Sequence, residues 1–165
     1  MSEKVAGLKA AAIVVSDRIV GGERENTVTA VLESELLKVA EEVVLSVVVA
    51  EGYDAVFQAI NDAKAAGARL IVTAGGTGIG PRNMTPEATA QILETRLEGL
   101  ESQVLFKGLQ STPQAGLSRG LIGVTGRHPN AAIVANAPSS KGGVKDTMAV
   151  LIPVVPNILE GLSRA

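Results

Sequence analysis

Short apolar runs alternate with helical spacings along the first half of the chain. Ala10 to Val15 is a continuous apolar run closed by Ser16-Asp17, and such a run predicts a strand buried on both faces. Gly21-Gly22 and Glu23-Arg24-Glu25 read as a loop, with Asn26 placed to cap the next helix. Val28, Val31, Leu32, Leu36 and Val39 then recur at helical spacing, with Glu33 and Lys38 on the other side. Val43 to Val49 is rich in β-branched residues and predicts a second strand, ending at Ala50-Glu51-Gly52. Val56, Ala59, Ile60 and Ala63 mark the inner stripe of a second helix, which Gly67 stops. Leu70 to Thr73 is a third short apolar strand, opening into Ala74-Gly75-Gly76-Thr77-Gly78-Ile79-Gly80-Pro81.

Strand, helix, strand, helix, strand predicts an α/β fold with a mainly parallel sheet and helices on both faces. Ligands of such sheets sit beyond the carboxyl ends of the strands. Ser16-Asp17, Glu51 and the Gly75–Gly78 loop all fall at those ends. Further on, Thr85-Pro86-Glu87 reads as a helix start with Thr85 as the cap, continued by Ala88 to Leu93. Leu97 to Leu109 predicts another helix. Leu121 to Thr125 and Ala131 to Asn136 read as strands joined through Gly126 to Asn130. Val144, Met148, Leu151 and Ile152 define a last helix, to be broken or kinked by Pro153 and Pro156. No repeat or linker divides the pattern, so residues 1–165 read as one domain.

Composition narrows the function. Hydrophobic residues are 46% and charged residues 19%, as in a soluble globular chain. The net charge is -2, which argues against a phosphate-tracking nucleic-acid interface. Aromatics are 2%, too few for base-stacking platforms. The absence of cysteine removes disulfides and thiolate chemistry, and the single histidine, His128, reads as a turn residue rather than a metal ligand. No apolar run approaches the roughly 18 residues of a membrane span. Met1 to Leu8 does not read as a signal peptide, so the expected compartment is the cytoplasm.

Five segments carry candidate chemistry, each with a bland alternative. Gly75-Gly76-Thr77-Gly78 is either a phosphate cradle or a tight turn. Ser16-Asp17-Arg18 offers a carboxylate for Mg²⁺ and a hydroxyl for phosphate, or is a strand-end turn. Arg82 beside the glycine loop suits a phosphate, with Asn83 as a neutral hydrogen-bonding group. Ser118-Arg119-Gly120 is an anion contact or a helix end. Asn136-Ala137-Pro138-Ser139-Ser140-Lys141 leads from a strand into a helix, where an anion or a simple serine cap would fit.

Taken in order, the glycine loop, Pro81-Arg82-Asn83-Met84-Thr85-Pro86-Glu87, Leu117-Ser118-Arg119-Gly120, the early Val15-Ser16-Asp17-Arg18 and the closing Leu151 to Leu159 resemble the Mog/MoaB molybdopterin-binding family. Its relatives include the molybdopterin adenylyltransferases and the gephyrin G domain. The resemblance implies a three-layer α/β sandwich assembled as a homotrimer. It implies a pterin ligand, molybdopterin, and transfer of AMP from ATP with Mg²⁺, or else a non-catalytic carrier of the same fold. It further implies handover to a molybdenum-insertion protein. Carried over by position, Asp17, Glu51 and Asn83 take the catalytic places, with Asp17 and Glu51 on the metal. Ser16, Gly75, Gly76, Thr77, Gly78, Arg82, Thr85, Ser118, Arg119, Asn136, Pro138, Ser139 and Ser140 take the phosphate and pterin places.

The chain departs from the family pattern at several of these positions. Asn83 stands where the family has Asp, and Ala50-Glu51 where it has Pro-Asp. Asn26 and Val28-Thr29 replace an Asp and a Ser-Gly pair, and Ser139 replaces a glycine. An amide contributes a dipole where a carboxylate would contribute charge to a bound cation, so Asn83 bears on metal use more than on pterin binding.

Overall fold

The computed structural model describes residues 3–164. Met1, Ser2 and Ala165 lie outside the described residues, and with them the outer ends of the 1–165 span and the first two residues of the Met1–Leu8 segment. Six strands form one sheet: β1 (Lys9–Val15), β2 (Glu42–Val49), β3 (Leu70–Ala74), β4 (Thr95–Arg96), β5 (Ile122–Val124) and β6 (Ile133–Ala137), in the order β2-β1-β3-β6-β5-β4. β2, β1, β3 and β6 run parallel; β5 is antiparallel to both of its neighbours. The expected α/β, mainly parallel sheet is therefore present.

Helices cover both faces because the strands are apolar on both. Ala10, Ala12 and Val14 of β1 face α2 (Val28–Leu36), α6 (Lys141–Leu151) and α7 (Val155–Ser163). Ala11, Ile13 and Val15 face α3 (Tyr53–Ala65) and Ala88 of α4 (Thr85–Ala90). Each helix turns the expected stripe inward: Val28, Leu32 and Leu36 from α2; Val56, Ala59, Ile60 and Ala63 from α3. Burying one such side chain stabilises by about 1.5–3 kcal/mol. The crossover through α2 sets β2 on one side of β1, and the crossover through α3 sets β3 on the other. The chain thus reverses direction across the sheet at β1, which opens a crevice at the carboxyl ends of β1 and β3.

Several boundaries differ from the sequence reading, for local reasons. Asp17–Val20 form a one-turn helix, α1, capped by the Ser16 hydroxyl. Thr27 holds the N-cap position of α2, yet Asn26 does the capping, its Oδ1 accepting from the N–H groups of Val28 and Thr29. Val39 is buried but follows α2 rather than belonging to it. α4 stops at Ala90, and β4, two residues long, is too short to show a period. Pro153 and Pro156 do break the final helical run, through a 3-10 turn at Ile152–Val154 before α7. Among the described residues no helix is long and apolar enough to cross a membrane.

Candidate functional site

The glycine loop leaves β3 and returns beneath α4. Gly75 and Gly76 hold φ angles of 112° and 71°, which side chains rarely tolerate. A Cβ on Gly75 would lie 2.2 Å from the Val15 carbonyl oxygen, and one on Gly76 2.2 Å from Thr85 Oγ1. Both glycines are thus demanded by the fold itself. Thr85 is the first helical residue of α4, with Met84 at the cap position, which corrects the reading of Thr85 as the cap. Its buried hydroxyl instead donates to the Gly75 carbonyl at 3.0 Å and braces the loop. Among the described residues, the N–H groups of Gly76, Thr77 and Gly78 have no protein acceptor. Successive N–H groups free of partners suit a phosphate oxygen.

Beside this loop a polar cluster joins the ends of β1 and β2. The Glu51 N–H donates to Asp17 Oδ1 at 3.0 Å, and the Asp17 N–H donates to Glu51 Oε2 at 3.2 Å. Arg82 grips the Asp17 carboxylate, Nε to Oδ2 at 2.6 Å and Nη2 to Oδ1 at 3.1 Å, and donates to the Glu51 carbonyl at 2.7 Å. The Arg82 hydrogen bond, and then the Glu51 N–H, hold the Asp17 carboxyl below its ordinary range. Asn83 donates from Nδ2 to Glu51 Oε1 at 2.6 Å, while its Oδ1 accepts from the Gly80 N–H at 3.0 Å. Ser16, next in the chain, spends its hydroxyl on the Ile19 N–H.

This donor set does not fit a divalent cation as it stands. All four carboxylate oxygens of Asp17 and Glu51 already accept N–H groups, and Arg82 supplies the positive charge. Mg²⁺ requires near-octahedral oxygen ligands at about 2.0–2.1 Å. Among the described residues no group of three His, Cys, Asp or Glu side chains is placed to hold a metal ion.

A cavity of about 730 Å³ opens next to the loop, between α5 (Glu98–Leu109), the 3-10 turn Pro113–Leu117, the approach to β5 and the start of α6. Ser118, Arg119, Asn136, Pro138 and Ser140 line it; Ser139 is exposed and does not. The Asp17 cluster lies outside the lining. Ser118 connects the cavity to the glycine loop, donating from Oγ to Thr77 Oγ1 at 3.2 Å. Arg119 fastens the same junction: its N–H bonds the Thr77 carbonyl, Nε the Gly78 carbonyl and Nη2 the Asn83 carbonyl, and it forms an ion pair with Glu87. That pairing holds the Glu87 carboxyl below its ordinary range.

Asn136 lines the cavity from a buried position. Its Nδ2 donates to Thr73 and Thr89 hydroxyls at 3.0 and 2.9 Å, and its Oδ1 accepts from the Leu121 N–H at 3.0 Å. Ser140 caps α6 through the Gly143 N–H. The sequence reading missed the α5 wall. There Glu101 is paired with Arg96 at 2.6 Å and accepts the Ile122 N–H, and both line the cavity with Thr112 and Gln114. Leu100 and Val104, partly buried, pack α5 against the edge of the core, and nothing local marks its polar face as a cavity wall.

Known proteins resemble this chain in sequence and fold. The family model described as "Probable molybdopterin binding domain" matches residues 11–157. A Synechococcus elongatus molybdenum cofactor biosynthesis bifunctional protein is 31% identical over 98% of this chain and 49% of its own length. The chain spans about half or less of the length of such curated relatives, as little as 14% of the Drosophila melanogaster molybdenum cofactor synthesis protein cinnamon and 12% of the Dictyostelium discoideum gephyrin. Among solved structures, a Corynebacterium diphtheriae chain provisionally assigned to molybdenum cofactor biosynthesis is 53% identical. It has a TM-score of 0.86 and covers 95% of this chain and 99% of that one. The Mog protein of Mycobacterium ulcerans is 34% identical at a TM-score of 0.83, over 95% of this chain and 100% of that one. With the matched model spanning the sheet, the glycine loop and the cavity, the chain belongs to the Mog/MoaB molybdopterin-binding domain family of molybdenum cofactor biosynthesis.

Proposed function

We propose that the chain binds molybdopterin and transfers AMP to it from the magnesium complex of ATP. A terminal phosphate oxygen of the pterin attacks the α-phosphorus of ATP, the bond to the bridging oxygen breaks, and pyrophosphate leaves with the electron pair. The observation that carries this reading is the run of partnerless N–H groups at Gly76, Thr77 and Gly78 beside a cavity of about 730 Å³. The pterin body lies in the cavity and its anionic end reaches the loop. The loop N–H groups and the Thr77 and Ser118 hydroxyls take the phosphate oxygens, and Arg119 holds the junction in place. Phosphoryl transfer draws its acceleration from such positioning and charge stabilisation. Asp17, Glu51, Asn83 and Arg82 align the loop from the other side. A homotrimer and a molybdenum-insertion partner belong to the same proposal, as does a single domain over residues 1–165.

One observation favours a second reading, a carrier that binds molybdopterin without adenylylating it. Asn83 is an amide, and the carboxylates beside it are already engaged, Asp17 by Arg82 and Glu51 by the Asn83 amide. A product assay separates the two. The full chain is incubated with molybdopterin, ATP and Mg²⁺, with Asn83→Asp alongside, and adenylyl-molybdopterin is sought by mass. Product from the wild type is expected. Retained molybdopterin with no product would sink the transferase reading and leave the carrier.

A further inference from the structure

We propose that Arg82 and Asn83 are protein-borne substitutes for a divalent cation, and that they exclude Mg²⁺ from Asp17 and Glu51. Asn83 Oδ1 faces the Gly80 N–H, so the group facing Glu51 Oε1 at 2.6 Å is an N–H donor. A carboxylate at position 83 in the same orientation would set two anionic oxygens 2.6 Å apart, a spacing that demands a cation or a proton between them. Here the amide proton fills that need. Arg82 does the equivalent work at Asp17 with a two-point grip, and its third contact, to the Glu51 carbonyl, ties the guanidinium across both strand ends. Gly52, in the same turn, holds a φ of 109° that side chains rarely adopt, and the Arg82 guanidinium lies in van der Waals range above it.

A metal ion entering this corner has to displace the charge-assisted hydrogen bonds already made there. It must also lose part of its own hydration, which Mg²⁺ does reluctantly. A solvated cation therefore finds no net gain while Arg82 and Asn83 both hold these oxygens. Arg82 is 60% exposed along its side chain, so its departure disturbs no core contact. The exclusion is local and removable, which makes it testable by substitution.

The test is a Mn²⁺ titration of the full chain, followed by the electron paramagnetic resonance signal of free Mn²⁺, with neither pterin nor ATP present. The wild type should show no saturable uptake through the low millimolar range. Arg82→Gln and Asn83→Asp should each gain a saturable site, at least about tenfold tighter than any wild-type uptake. Adding Asp17→Asn to Arg82→Gln should abolish the gain. Thermal melts control for folding, and the near-isosteric Asn83→Asp stands as the second arm if Arg82→Gln melts early. Wild-type uptake equal to that of the variants would overturn the proposal, and so would the absence of uptake in both variants. Because no substrate is used, the outcome is independent of whether AMP transfer is found.

Discussion

Gly76 sits where its neighbours leave room for a hydrogen and nothing more. Gly76→Ala should destabilise by about 1–3 kcal/mol from the left-handed backbone alone, and by more once the overlap with Thr85 Oγ1 is included. Combining it with Thr85→Ala should cost less than the sum of the two single changes, because the residues that collide are the ones removed. Urea denaturation of the four proteins measures that coupling, and strict additivity would contradict the geometry. Asn136 is the other residue with a structural duty that its sequence context conceals. In sequence it ends a strand that leads into a helix, which points to an anion contact rather than a buried hub. Its partners Thr73, Thr89 and Leu121 come from three separate segments, so only the folded chain reveals a buried hub.

At the level of elements, Asn136 and Arg119 do the joining. Asn136 connects β6 to β3, α4 and the lead into β5; replacing it with Ala leaves the Leu121 N–H and two hydroxyls short of a partner. The expected loss is about 2–4 kcal/mol in chemical denaturation, shared between the part-buried N–H and the two buried hydroxyls. Arg119 connects the same lead to the glycine loop and to α4 through Glu87. Because Arg119 lowers the folded pKa of Glu87, the stability it contributes is complete above the ordinary carboxylate range. It is lost as pH falls through the folded value. Arg119→Gln should therefore melt below the wild type at pH 7, with the gap narrowing steadily into acid. A gap independent of pH would assign the role of Arg119 to its carbonyl contacts alone. The Thr-Pro pair at 85–86 shows why such junctions escape local reading. Thr at the cap and Thr at the first helical position look alike in sequence, and the acceptor that decides between them, the Gly75 carbonyl, lies ten residues upstream.

Across the whole molecule, what could be read beforehand is what depends on neighbours in sequence. The continuous apolar run of β1 announced a strand covered on both faces, and the stripes of α2 and α3 announced which helical sides are covered. The convergence of Ser16-Asp17, Glu51 and the glycine loop followed from strand ends alone, and the sheet order places them at one reversal point. The cavity was not legible, because its walls come from α5, a 3-10 turn and the start of α6, which no spacing relates. The two glycines that touch Val15 and Thr85 carry a final consequence for inheritance. A descendant of this chain that abandoned its ligand would still be compelled to keep Gly75 and Gly76, since any replacement would injure the fold before it touched the chemistry. The glycine pair therefore marks ancestry and architecture, and position 83 is where a change of trade would be recorded.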